Sequence, residues 1–292
     1  MPNVLTELIE LLRLERIEKN LFRGQSQDLG WGAIFGGQVL GQALSAAAQT
    51  VPDARPVHSL HGYFLRQGDA KAPVVYDVDC IRDGKSFTTR RVVAIQNGRA
   101  IFNLSASFQR DEGGYDHASE MPQTPGPEGL LSEVDLAKRL GDKIPEQLRK
   151  IATADRPIEI RPVAPTNPLH PKVKPPHRGV WFRASGDLPD DQGVHRCVLA
   201  YASDFHFLST AMQPHAVSWL LPGMQVASLD HAMWFHRPFR MDEWLLYAVE
   251  SPSASGARGL VRGQLFTRDG TLVASTVQEG LMRHHGKFDA GG

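Results

Sequence analysis

Asp204 is the only carboxylate in the strongly apolar run CVLAYASDFHFLSTAM (197–212). Burying an unpaired carboxylate is costly, so an acid in such a setting is hydrogen-bonded, paired or functional. If functional, it has the chemistry of a general base. Two weaker candidates accompany it. Gln278 lies on the alternating run TLVASTVQEGLM (271–282), where a Gln is ordinarily solvated or bonded at an edge, and Ser228 opens SLDHAMWFHR (228–237). Gly36-Gly37 opens the Gly- and Ala-rich run FGGQVLGQALSAAAQTV (35–51). Backbone N–H groups at a helix start can support developing negative charge, although the same glycines would also suit close packing. His58 and His206 are further candidates, each with the plainer reading of a structural histidine.

Other chemistries lack their parts. There is no GxSxG elbow for a serine nucleophile. No HExxH occurs, and the tail pair His284-His285 reads as solvated, so no metal is expected. Gly30-x-Gly32 misses the GxGxxG spacing, and no cofactor is expected. Cys80 and Cys197 are the only cysteines and lie far apart, which suits a reducing compartment and excludes a CxxC site.

The elements that must position these residues come from an internal repeat. A shift of 171 pairs Tyr63 with Trp234, Phe64 with Phe235, Arg66 with Arg237, Tyr76 with Tyr247 and Val78 with Val249. One inserted residue then pairs the turn Asn97-Gly98 with Asp269-Gly270, each a strong hairpin signal. After its aromatic motif each half carries three β-prone runs: VVYDVDCI, TTRRVVAIQ and AIFNLSASFQ, then WLLYAVES, ARGLVRGQLF and TLVASTVQEGLM. Before the motif each half has one helix candidate, 35–51 and 194–212. A central apolar helix followed by an antiparallel meander is an α+β layer architecture. The halves are not chemically alike. The first helix region, 30–52 apart from Asp53 beyond it, has no Asp or Glu; Ala106 occupies the place of Gln278, and the place of Ser228 falls near Val57 or Ser59. The fold therefore does not demand an acid on its helix, which favours a single site in the second half.

The expected organisation is a first repeat over 1–110, a linker with a polar helix (129–151) over 111–155, a second repeat over 156–286 carrying the site, and a tail at 287–292. Lys plus Arg equals Asp plus Glu at 32 each, so no basic excess argues for nucleic acid. No run approaches the ~20 apolar residues of a membrane span, and the leucines of the N-terminus are interrupted by charges, unlike a signal peptide. A cytoplasmic protein is the expectation.

Taken together, GAIFGGQVLGQAL, VHSLHGYFLRQGD, RDGKSFTTRRV, LAYASDFHFL, SLDHAMWFHRPF and LVASTVQEGLMR make the chain resemble the acyl-CoA thioesterase II family over roughly residues 8–285. That resemblance implies a double hotdog fold, hydrolysis of medium- to long-chain acyl-CoA, and a site where Asp204, Ser228 and Gln278 position the attacking water. The residues suit that reaction: Asp204 as base, Ser228 and Gln278 as orienting groups. Homo-oligomers, dimer or tetramer, are expected because hotdog sheets leave edges and faces that pair. Two alternatives are a non-enzymatic acyl-CoA-binding protein and a hotdog enoyl-CoA hydratase. Asn167-Pro168-Leu169-His170 matches part of the hydratase motif, but Pro165 stands where its Asp is required.

Overall fold

The computed structural model describes residues 3–52 and 54–286; the tail expected at 287–292 lies outside them. In the first half, α1 (Val4–Leu12), β1 (Glu15–Glu18) and β2 (Leu21–Gly24) precede α2 (Gly36–Ala48) and the strands β3 (Val57–Phe64), β4 (Val74–Asp83), β5 (Phe87–Gln96) and β6 (Arg99–Gln109). Between the halves lie α3 (Glu133–Leu140) and α4 (Glu146–Ala152). The second half has β7 (Ile158–Pro162), β8 (His177–Ala184), α5 (Gln192–Ser203), α6 (Ser209–Met212), β9 (Met224–Ser228), β10 (Asp230–Phe235), β11 (Leu245–Ser255), β12 (Arg258–Thr267) and β13 (Leu272–His284). This is a double hotdog of α+β class.

The described strands form one thirteen-stranded sheet, β1-β2-β4-β5-β6-β3-β10-β13-β12-β11-β8-β7, with β9 also paired to β13. The halves join at the antiparallel pair β3–β10, where Asp230 faces Tyr63 and Trp234 faces Ser59. His61 faces Ala232, and these two residues are themselves related by the 171-residue shift. A two-fold pseudo-axis therefore passes between them. The repeat seen in the sequence is this axis.

Hydrophobic alternation closes the sheet around the two helices in one continuous core. The small residues of α2 admit α5 itself: a Cβ on Gly37 would strike the Tyr201 carbonyl, and one on Gly41 would lie 3.0 Å from the Cys197 carbonyl. Larger residues would force these helices apart.

Three expectations change. The helix expected over 194–212 is two helices, because α5 ends at Ser203 and the chain turns through 204–208 with His206 at φ 63°. The polar helix expected over 129–151 is also two helices, broken at Gly141 (φ 51°). Finally, 111–128 is irregular but not free: Trp181 Nε1 donates to Pro125 O at 2.8 Å, and Gln264 Nε2 to Ser119 Oγ at 3.0 Å. The segment straps the outer face of the second-half sheet.

Candidate active site

The α5 helix ends in a way that aims Asp204 at the sheet. Tyr247, on β11, donates from its hydroxyl to the Ser203 carbonyl at 3.1 Å and shares a 2.8 Å bond with Thr276 Oγ1. This fixes the last residue of the helix, and Asp204 is its C-cap. The next turn settles onto β13 because Gly280 has no side chain: a Cβ there would strike Leu208. From outside, Glu133 of α3 sets Oε2 3.1 Å from Nε2 of His206. Burial raises the Glu133 carboxyl's proton affinity, but His206, Arg156 and Arg178 outweigh it and hold the group below its ordinary value. His206 thus braces the turn and is not itself among the groups around Asp204.

Strand β13 serves two neighbours in succession. Its outer stretch pairs with β9, where Ser228 faces Gly280, and its inner stretch pairs with β10, where Ala232 faces Val277. Gln278 lies between, buried, with its side chain on the helix-facing side. The result brings together the three residues singled out in the sequence. Gln278 Nε2 donates to Ser228 Oγ at 2.6 Å and to Asp204 Oδ1 at 3.2 Å, and Ser228 Oγ donates to the same Oδ1 at 3.3 Å. They touch one another directly.

The first half also reaches this cluster. A Cβ on Gly36 would lie 2.6 Å from Asp204 Oδ2 and 3.1 Å from Phe64 Cε1. Gly36 is the first residue of α2, whose N-cap, Phe35, makes no side-chain capping bond. The carboxylate therefore sits at a helix N-terminus, where the dipole favours negative charge and the first N–H groups have no intrahelical acceptor. The close-packing reading of Gly36-Gly37 holds at Gly37, which packs against α5, while Gly36 borders the acid.

His231 was not legible as part of the site. Its ring is fully buried, with Nδ1 2.8 Å from Gln278 Oε1 and Nε2 3.0 Å from Ser203 Oγ. Burial lowers its proton affinity, while Asp204, the Gln278 bond and Asp230 act the other way, and burial prevails. The available signal was Leu60, which the 171-residue shift places opposite His231. His58 instead bonds Ser107 Oγ at 2.8 Å and meets Phe87 edge-on at 5.7 Å. Asn167 caps its own turn, accepting from Leu169 N at 3.0 Å, while Ser218 Oγ donates to the Pro168 carbonyl at 2.6 Å. That tetrapeptide makes no bond to the Asp204 cluster. Among the described residues no three His, Cys, Asp or Glu side chains are grouped so as to hold a metal, and no helix is long and apolar enough to cross a membrane.

A family model described as acyl-CoA thioesterase matches residues 147–281, and one described as acyl-CoA thioesterase N-terminal domain matches 26–109. Acyl-CoA thioesterase 2 of Haemophilus influenzae is 45% identical over 97% of this chain and 99% of its own. Human acyl-coenzyme A thioesterase 8 is 44% identical over 94% of this chain and 88% of its own. The crystal structure of acyl-CoA thioesterase II TesB2 from Mycobacterium marinum superposes with a TM-score of 0.78 at 43% identity, covering 95% of this chain and 98% of that one.

Proposed function

The chain belongs to the acyl-CoA thioesterase II family and is an acyl-CoA hydrolase, and from that premise we propose that Asp204 activates the water that cleaves the thioester. Asp204 takes a proton from water, and the resulting hydroxide attacks the thioester carbonyl. Ser228 and Gln278 orient the carboxylate and the water through the bonds that link all three. The first N–H groups of α2, at Gly36 and Gly37, support the oxyanion of the tetrahedral intermediate. Collapse of that intermediate expels coenzyme A as a thiolate, a stable leaving group, and yields the free acid. None of these steps calls on a metal or cofactor.

The observation that carries the proposal is the placement of one half-buried carboxylate against an amide, a hydroxyl and a helix N-terminus. The first half offers no equivalent group. Medium- to long-chain acyl groups are the proposed substrates. A homo-oligomer, dimer or tetramer, working in the cytoplasm completes the proposal, supported by a sheet that ends in the strands β1 and β7 without closing on itself and by two cysteines that form no disulfide.

The test is free-thiol release by purified protein from acyl-CoAs of graded length and from a trans-2-enoyl-CoA. Thiol should appear with each substrate the site accommodates, at a rate unchanged by chelators. With the enoyl substrate no 3-hydroxyacyl-CoA should form, since Pro165 stands at the acid position of the hydratase motif. A hydration rate comparable to hydrolysis would overturn the assignment of the chemistry.

A further inference from the structure

We propose that His231 is the positioning residue that decides which way the Gln278 carboxamide faces, and through it the geometry of Asp204. The inference rests on the reading of Asp204, Ser228 and Gln278 as the hydrolytic machinery. A carboxamide has a donor end and an acceptor end of nearly equal shape, so packing alone does not choose between them. The ionised Asp204 needs a donor, and Gln278 Nε2 supplies it while also donating to Ser228. Both amide hydrogens are then committed, and Oε1 faces His231 Nδ1 at 2.8 Å. An imidazole nitrogen that faces a carbonyl oxygen must carry the proton, so Nδ1 is the protonated nitrogen.

The other side of the ring maintains this state. Nε2 lies 3.0 Å from Ser203 Oγ, and the single hydroxyl hydrogen of Ser203 turns either to the ring or to the Ala200 carbonyl at 2.9 Å. Full burial disfavours the imidazolium, so the ring is neutral with its hydrogen on Nδ1, and Nε2 takes the one Ser203 hydroxyl hydrogen in place of the Ala200 carbonyl. Ser203 directly precedes Asp204, and its carbonyl is held by Tyr247. His231 therefore links the residue before the base to the amide that binds the base. Were the ring unable to donate, the amide could turn, and its oxygen would face the Asp204 carboxylate. Leu60, the first-half counterpart, can play no such part.

Three substitutions separate positioning from packing. His231→Asn keeps a donor close to the position of Nδ1, His231→Gln moves the donor toward Ser203, and His231→Leu reproduces the first half. Hydrolysis of a saturated acyl-CoA should retain kcat within about 5-fold for His231→Asn, and fall about 100-fold for His231→Gln and His231→Leu, with KM within about 2-fold throughout. In a Gln278→Ala background, His231→Gln should lower kcat by no more than about 2-fold further, because the group it orients is gone. Thermal unfolding of each variant checks that it is folded, and the Asn–Gln contrast decides the matter even if the leucine variant fails to fold. Equal losses for Asn and Gln, or losses at 231 and 278 that multiply, would overturn the proposal. Asp204→Asn is the separate control: if it keeps its rate, the reading of the machinery fails, whatever the variants at 231 do.

Discussion

The two halves share one scaffold and differ in what that scaffold points at its helix. Ladder register matches their positions residue by residue. Ser228 faces Gly280 and Val57 faces Phe108, so Ser228 corresponds to Val57 and not to Ser59. Gln278 faces Val261 as Ala106 faces Arg90, and His231 corresponds to Leu60. Where the second half sets Ser228, His231 and Gln278, the first sets Val57, Leu60 and Ala106, all buried. Even the shared tyrosine is used differently. Tyr247 fixes the helix end before Asp204, whereas Tyr76 donates to Gln42 at 2.6 Å, and Gln42 ties down the Leu11 and Gln25 carbonyls. Apolar residues at the first three positions keep the fold, so the polar set in the second half is not a structural need. The first half is not idle, because the Gly36 end of its helix borders the acid.

The largest expected effect is that of Asp204→Asn, which keeps shape and removes the base. Thiol release should fall at least about 10³-fold with substrate affinity retained. Survival of about half the activity would mean that the first half also catalyses. Gln278→Ala restores the first-half residue and should cost about 10²-fold. Gly36→Ala tests the cross-half contact: its Cβ would displace the carboxylate, and a loss of about 10-fold to 10²-fold is expected with an unchanged thermal midpoint. Ser228→Ala should cost about 10-fold, since Gln278 still donates to Asp204. Ser59→Ala lies outside the matched positions and should be near silent.

Acid stability offers a gentler contrast. Burial pulls His195, His231 and His236 in the second half, and His58 in the first, below the ordinary value of 6.5. The unfolded chain takes up protons below pH 6.5 that these folded rings refuse, so stability is full above that value and declines as pH falls through it. The thermal midpoint should drop between about pH 8 and about pH 5.5, and by less in His231→Asn. A midpoint that holds or rises on acidification would contradict the account.

Much of this was legible in the sequence, for identifiable reasons. Repeat offsets and the Asn97-Gly98 turn (φ 49° and 71°) announced the sheet, and Asp204 stood out as a charge in an apolar run. The helix break at Asp204 was not legible, because 197–212 contains no Gly or Pro and the turn is made by His206 in a left-handed conformation braced by Glu133. Strand β11 runs on to Ser255, past the end of the run WLLYAVES, so the turn to β12 tightens onto Gly256 and Ala257, both left-handed at φ 54° and 59°. His231 escaped notice because its partners come from α5 and β13, distant segments that only the folded sheet brings together.

The central claim is that Asp204 acts on water and not on the thioester carbon. A single turnover in water enriched in heavy oxygen, with enzyme in excess over acyl-CoA, tests it directly. Mass analysis of the released fatty acid and of the peptide containing Asp204 locates the label. The account predicts heavy oxygen in the fatty acid and none in the Asp204 carboxyl group. Label in that carboxyl group, or an acylated Asp204 trapped on quenching, would show that the carboxylate attacks the substrate itself and would contradict the account.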